Sequence, residues 1–190
     1  DGLTSGYKSF GLTKPSNLLF PGQAYGTVNT RPNISDHEIA SLGFGYGMTA
    51  SALQMAQAYS VFANEGYLKD FKILKDEEEV YKQRVISKIT ASKVLLALES
   101  VVLKGTGTLA AVSGYEVAGK TGTSHKSSAN GGYDKSKYIS SFAGIAPLTS
   151  KRLTIFVSVE EPGLNNYSGG AVAAPLFAAI SQDVLNYLDE

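Results

Sequence analysis

The chain contains no cysteine, which removes disulfides, thiolate metal sites and a cysteine nucleophile together. Histidine is almost as scarce. His37 and His125 lie far apart, with no H-E-x-x-H or similar spacing, so no histidine-built metal centre is expected. Each sits among polar residues, Ser35-Asp36-His37-Glu38 and Ser124-His125-Lys126, and reads as a plain solvated side chain. An excess of one charge is missing too: 17 Lys and Arg balance 17 Asp and Glu. No global field therefore draws the chain to nucleic acid or an anionic membrane. No stretch approaches the run of about 18 apolar residues that spans a bilayer. The most apolar segment, Ala171 to Ile180, is short and carries Pro175. No leader pattern is visible and Asp1 is not an initiator methionine. The expectation is either a processed N-terminus or a piece of something longer.

What is present suffices for one folded unit. The 190 residues are 43% hydrophobic and 18% charged, the balance of an ordinary domain with a full core. Residues 1–47 hold recurrent glycine and proline and sustain neither helical nor strand periodicity, so they read as an irregular segment. An opening loop of that length is expected to pack on upstream structure. A helix follows, with Ser51 as N-cap, Leu53, Ala56, Tyr59 and Ala63 as its apolar stripe, and Gly66 as its stop. The charge-dense stretch from Lys69 to Arg84, including Lys75-Asp76-Glu77-Glu78-Glu79, reads as a solvated hairpin or loop. A second helix is predicted from near Thr90 to Lys104-Gly105.

Three strands are predicted next. The first is Tyr115 to Ala118, leading into Gly119-Lys120-Thr121-Gly122-Thr123. The others are Tyr138 to Ala146 and Arg152 to Val159, close enough for an antiparallel hairpin. A last helix spans about Ala171 to Leu188, with Pro175 tolerable in its first turns. The fold class is therefore α+β: an antiparallel sheet with helices packed on its faces.

The segment Gly114 to Thr123 carries most of the chemistry and admits two readings. Gly114 to Thr121 matches the phosphate-loop pattern G-x-x-x-x-G-K-S/T. That loop needs a helix starting at the lysine, whereas Gly122 and the glycine-rich residues up to Gly132 oppose one. The second reading is the Lys-Thr-Gly strand of acyl-serine enzymes. An edge strand offers backbone groups to an extended peptide, and a lysine beside it attracts a carboxylate. A glycine lets the ligand approach the backbone closely.

Further segments extend the second reading. Phe44-Gly45-Tyr46-Gly47 with Leu53-Gln54-Met55-Ala56, Gly105-Thr106-Gly107-Thr108, Val117 to Thr123, Tyr138 to Pro147, and Tyr167 to Phe177 occur in order. This ordered set resembles class B penicillin-binding proteins over nearly the whole chain. Phe10-Gly11-Leu12 with Lys14, and Ser35-Asp36, are similar to the division-associated type that makes septal peptidoglycan; the elongation type is a near second. Ala52 stands where the family often has proline.

The resemblance implies a D,D-transpeptidase of the cell envelope, periplasmic and membrane-anchored by a segment outside these residues, with no cofactor. Its implied partners are peptidoglycan stem peptides, β-lactam antibiotics, divisome membrane proteins and the N-terminal half of the same domain. Lys120 and Thr123 would be catalytic. Lys120 would hold positive charge near the serine–lysine machinery. Thr121, Gly122 and Thr123 would bind the substrate's carboxylate and backbone. The Thr123 N–H would donate to the oxyanion, a contribution of about 3 kcal/mol. Tyr167, with Gly169-Gly170, would border the cleft, simple packing being the competing account.

The nucleophile is the gap. Ser5-Gly6-Tyr7-Lys8 alone spells Ser-x-x-Lys; Gly6 and Gly11 oppose the helix that chemistry needs, and the family places its serine further upstream. Ser128-Ala129-Asn130 spells Ser-x-Asn on the wrong side of Lys-Thr-Gly. The chain is thus expected to hold one wall of an active site and to be inactive alone. A non-catalytic penicillin-sensing domain, a nucleotide-binding protein and a serine β-lactamase relative are the alternatives.

Overall fold

The longest strand-forming stretch of the sequence, rich in Ser, Ile, Phe and Ala, becomes the central strand of a three-stranded antiparallel sheet. The computed structural model describes residues 2–18, 20–28, 34–74, 81–128, 131–149, 151–163 and 165–189. Helices α1 (Gly2–Ser9), α2 (Asp36–Gly43) and α3 (Ala52–Ala63) come first. Strands β1 (Tyr67–Lys69) and β2 (Lys82–Arg84) form a small antiparallel pair, then α4 (Lys88–Lys104) follows. The main sheet is β3 (Ala118–Ser127), β4 (Tyr133–Ala146) and β5 (Leu153–Glu160), in that spatial order, and α5 (Gly169–Asp189) closes the chain.

Side chains alternate across the sheet, so each face has its own core. On one face the Phe142 ring meets that of Phe177 of α5, tilted, at 4.9 Å, both fully buried, joined by Ala173, Ala174, Val117 and Leu185. On the other, Ala118 and Ile145 meet Leu95 and Leu98 of α4 and Phe62 and Ala63 of α3. Gly144 is dictated by the first contact. A Cβ there would collide with the Phe177 ring, so any larger residue would push α5 off the sheet.

The antiparallel sheet and its helices agree with the α+β expectation, and Ser51 caps α3 in a full capping box with Gln54. Four expectations need correction. First, residues 1–47 are not irregular throughout. The helix α1 forms despite Gly2 and Gly6, which cost about 1 kcal/mol each, because Tyr7 donates its hydroxyl to the Leu42 carbonyl and Leu12 is buried. The capping box of Ser35 and Glu38 starts α2. The same segment packs on α3, whose buried Gln54 reaches the Lys14 carbonyl at 2.9 Å and the Gly26 N–H at 2.7 Å. Second, the strand carrying Lys-Thr-Gly begins at Ala118; Tyr115 makes an isolated bridge to Val112 instead. Third, Pro175 is the seventh residue of α5, beyond its first turn, so the Ala171 carbonyl lacks its intrahelical donor. Fourth, α5 as a whole is long and apolar enough to cross a membrane. One side of it, Ala173, Ala174, Phe177 and Leu185, packs in the core of the sheet, while Leu176, Ile180, Tyr187 and Leu188 on its other sides are exposed. The acidic run Lys75 to Glu79 lies outside the described residues.

Candidate active site

The candidate site starts with an asymmetry: among the described residues β3 has a strand neighbour on one side, β4. The register is unbroken from Ala118↔Ile145 to His125↔Tyr138 and shifts after His125. In such a ladder alternate residues turn both peptide groups away from the partner strand. The His125 N–H points outward, donating to the Tyr46 hydroxyl at 3.3 Å. Thr121 and Thr123 share that phase. The Thr121 carbonyl accordingly meets the Lys120 ammonium at 2.9 Å.

Side-chain direction sorts the four residues. Thr121 and Thr123 lie opposite Phe142 and Ser140, on the α5 face. There the Thr121 and Thr106 hydroxyls are 2.8 Å apart, and the Thr123 hydroxyl accepts the Gly169 N–H at 2.9 Å. Lys120 lies opposite Ala143, on the other face, and is exposed. Gly169 is required by close approach: a Cβ there would strike the Gly122 and Ser141 carbonyls, whereas one on Gly122 would meet only the Ser141 hydroxyl, which can rotate away.

Tyr167 belongs to this neighbourhood. Ser140, which pairs with Thr123, donates its hydroxyl to the Tyr167 carbonyl. The Tyr167 ring stacks on Tyr138 at 3.9 Å and 17°, and Tyr138 meets His125 at 4.7 Å. Burial, then Tyr167, pushes the Tyr138 phenol above its ordinary value. His125 is therefore not a plain solvated side chain: it is half-buried, and its Nδ1 is buried without a hydrogen-bond partner among the described residues. His37 is exposed, as expected.

On the Lys120 face, a groove of about 550 Å³ opens between the segment before α3 and the sheet. Tyr46, Met55, Ser124, Ile139, Ser141 and Phe156 are among its walls. Sequence reasoning singled out neither this groove nor Tyr46, Tyr133 and Tyr138 individually. The signal available was the alternation of Tyr138, Ser140 and Phe142 against Ile139 and Ser141, which assigns them to opposite faces.

One candidate motif does not join this site. Ser5 and Lys8 do lie one turn apart on a helix, against expectation. Lys8, however, lines a separate cavity of about 180 Å³ with Gly11, Lys14, Gln57 and Asp70. Ala129 and Asn130 of the Ser-x-Asn spelling lie outside the described residues. The phosphate-loop reading also fails. Lys120 sits inside a strand that runs on to Ser127, so no helix N-terminus faces it.

Comparison with known proteins accords with this geometry. Residues 1–182 match the penicillin binding protein transpeptidase domain. The chain belongs to that family. It is 37% identical over 188 residues to peptidoglycan D,D-transpeptidase FtsI of Escherichia coli strain K12, covering 98% of this chain and 32% of that protein. The transpeptidase domain of penicillin-binding protein 3 from Burkholderia pseudomallei superimposes with a TM-score of 0.85 at 40% identity, over 97% of this chain and 56% of that one. Penicillin-binding protein 3 of Mycobacterium tuberculosis, complexed with ampicillin, gives 0.88 at 31% identity, over 98% and 45%. The chain spans about a third of the length of the FtsI relatives it matches.

Proposed function

We propose that these residues form the C-terminal portion of the transpeptidase domain of a division-type peptidoglycan D,D-transpeptidase. The complete protein would cross-link stem peptides through an acyl-serine intermediate, and β-lactams would acylate the same serine. The observation that carries this is the outward-turned edge of β3 at Thr121 and Thr123, with Lys120 beside it. Such an edge can pair with an extended peptide, while the ammonium and two hydroxyls suit its terminal carboxylate.

The roles follow from position. Lys120 supplies positive charge at the strand edge, its ammonium 2.9 Å from the Thr121 carbonyl and 3.2 Å from the Thr121 hydroxyl, where the serine–lysine pair of the upstream half would approach. The Thr123 N–H donates to the oxyanion, and Thr121 and Thr123 hold the carboxylate, with Gly122 allowing close approach. Tyr167 borders the cleft through its stack on Tyr138. The nucleophile lies in the upstream half, not at Ser5, so these residues alone are inactive. Septal synthesis places the protein on the periplasmic side of the inner membrane, anchored there, beside divisome membrane proteins. The FtsI relatives, named peptidoglycan D,D-transpeptidases, support the transpeptidase and division-type parts of this reading.

The test uses the full-length protein with a D-Ala-D-Ala stem peptide and an acceptor amine. Release of D-alanine with formation of the cross-linked amide is expected. Penicillin acylation without any transfer would instead make it a sensing domain, and penicillin turnover a β-lactamase relative.

A further inference from the structure

Two tyrosines clasp the far end of the β3 edge. Tyr46 accepts the outward His125 N–H at 3.3 Å, and Tyr133, just past the β3–β4 turn, accepts the Gly47 N–H at 2.9 Å. Their rings meet edge to face at 4.8 Å and 87°, with Phe44 against Tyr46 at 5.7 Å. The loop before α3 is thereby pinned across the strand at the residue where the register breaks.

The other end of the edge is closed as well. Ala118 and Gly119 are buried. A peptide whose carboxylate sits by Lys120 and Thr121 can therefore extend only past Thr123 towards His125. There the next outward donor is already taken, and the Tyr46 ring occupies the space beyond it.

We infer that Tyr46 sets the length of the acyl donor's seat: the donor pairs with Thr121 and Thr123 and is turned off the strand at His125. This rests on the transpeptidase reading. Tyr46 acts as a specificity-determining residue, distinguishing peptides by how far their extended part reaches from the terminal carboxylate.

The experiment compares, in the full-length protein, D-alanine release from diacetyl-Lys-D-Ala-D-Ala and from a pentapeptide ending in D-Ala-D-Ala. In Tyr46→Ala the ratio of kcat/KM, pentapeptide over tripeptide, should rise about fivefold, the size of one net hydrogen bond. The change should lie in KM. An unchanged ratio overturns the inference. In Tyr46→Phe, which keeps the ring, the His125 amide should exchange with solvent faster than in the wild type. Should Tyr46→Ala not fold, that exchange decides, and unchanged protection overturns the inference. If the wild type processes neither donor, the transpeptidase reading itself fails and the inference with it. Normal turnover of both with an unaltered ratio sinks the inference alone.

Discussion

The two faces of the main sheet differ in how far their packing reaches: the α3 and α4 side closes over Ala118 and Ile145 only, whereas the α5 side is dense further along. Towards α5, Phe142 and Phe177 are fully buried, and Gly119 and Gly144 carry no side chain because the rings leave no room. Towards α3, the same strands leave Ile139, Ser141, Phe156 and Ser158 around an open groove. Strand β3 is the border between them, with its two threonines on the dense side and Lys120 on the open one. On the proposed reading, the dense face fixes the position of the edge, while the pleat of the same strand turns Lys120 to the side away from α5.

The largest effects should come from the dense face. Phe177→Ala should destabilise the protein by about 3–5 kcal/mol, read as a drop in denaturant midpoint. Phe156→Ala, on the half-buried groove face, should cost less than half as much. Equal costs would mean that the two faces do not differ as described. Next comes the border. Lys120→Ala should lower the rate of penicillin acylation about 10²-fold or more, the scale of losing one fixed charge-stabilising donor. Its melting temperature should barely move, because the side chain is exposed. A large fall in stability would instead make Lys120 structural. On the open face, Ser51→Ala removes the α3 cap bonded to Gln54 and should cost about 1 kcal/mol.

The smallest effect concerns the far end of the sheet. Lys126 bonds Glu160 at 2.8 Å and Glu161 at 2.9 Å. The Lys126 hydrogen bond holds the Glu161 carboxyl below its ordinary value of 4.5, and Glu160 and Glu161 hold the ammonium above its ordinary 10.5. The carboxylate's contribution is complete above pH 4.5 and fades as pH falls through the lowered value. The ammonium's contribution is complete below pH 10.5 and fades as pH rises beyond it. Melting temperatures followed from pH 6 to pH 3 should therefore fall less steeply in Glu161→Gln than in the wild type. Identical slopes would show that this cluster does not brace the strands.

Much of this was legible in the sequence wherever one residue type served one physical purpose. Ser51 before an apolar stripe meant a capped helix, and the short link from Pro147 to Lys151 meant a hairpin. The ordered motifs around Lys120 brought Thr121, Gly122 and Thr123 into view. What escaped depended on distant partners. Glycines at 2 and 6 spoke against a helix that is held by Tyr7 reaching Leu42. His125 looked solvated because its neighbours in sequence are polar, whereas its neighbours in space are Tyr138 and Tyr46. The clasp of Tyr46 and Tyr133 joins residues 87 apart, a pairing that no local pattern encodes.

The central claim is that this edge serves a serine supplied by the upstream half. Intact mass and peptide mapping of the full-length protein after excess benzylpenicillin test it most directly. The account predicts one stable penicilloyl adduct on a serine upstream of these 190 residues, formed more slowly in Lys120→Ala. An adduct on Ser5, or no adduct at all, would contradict it.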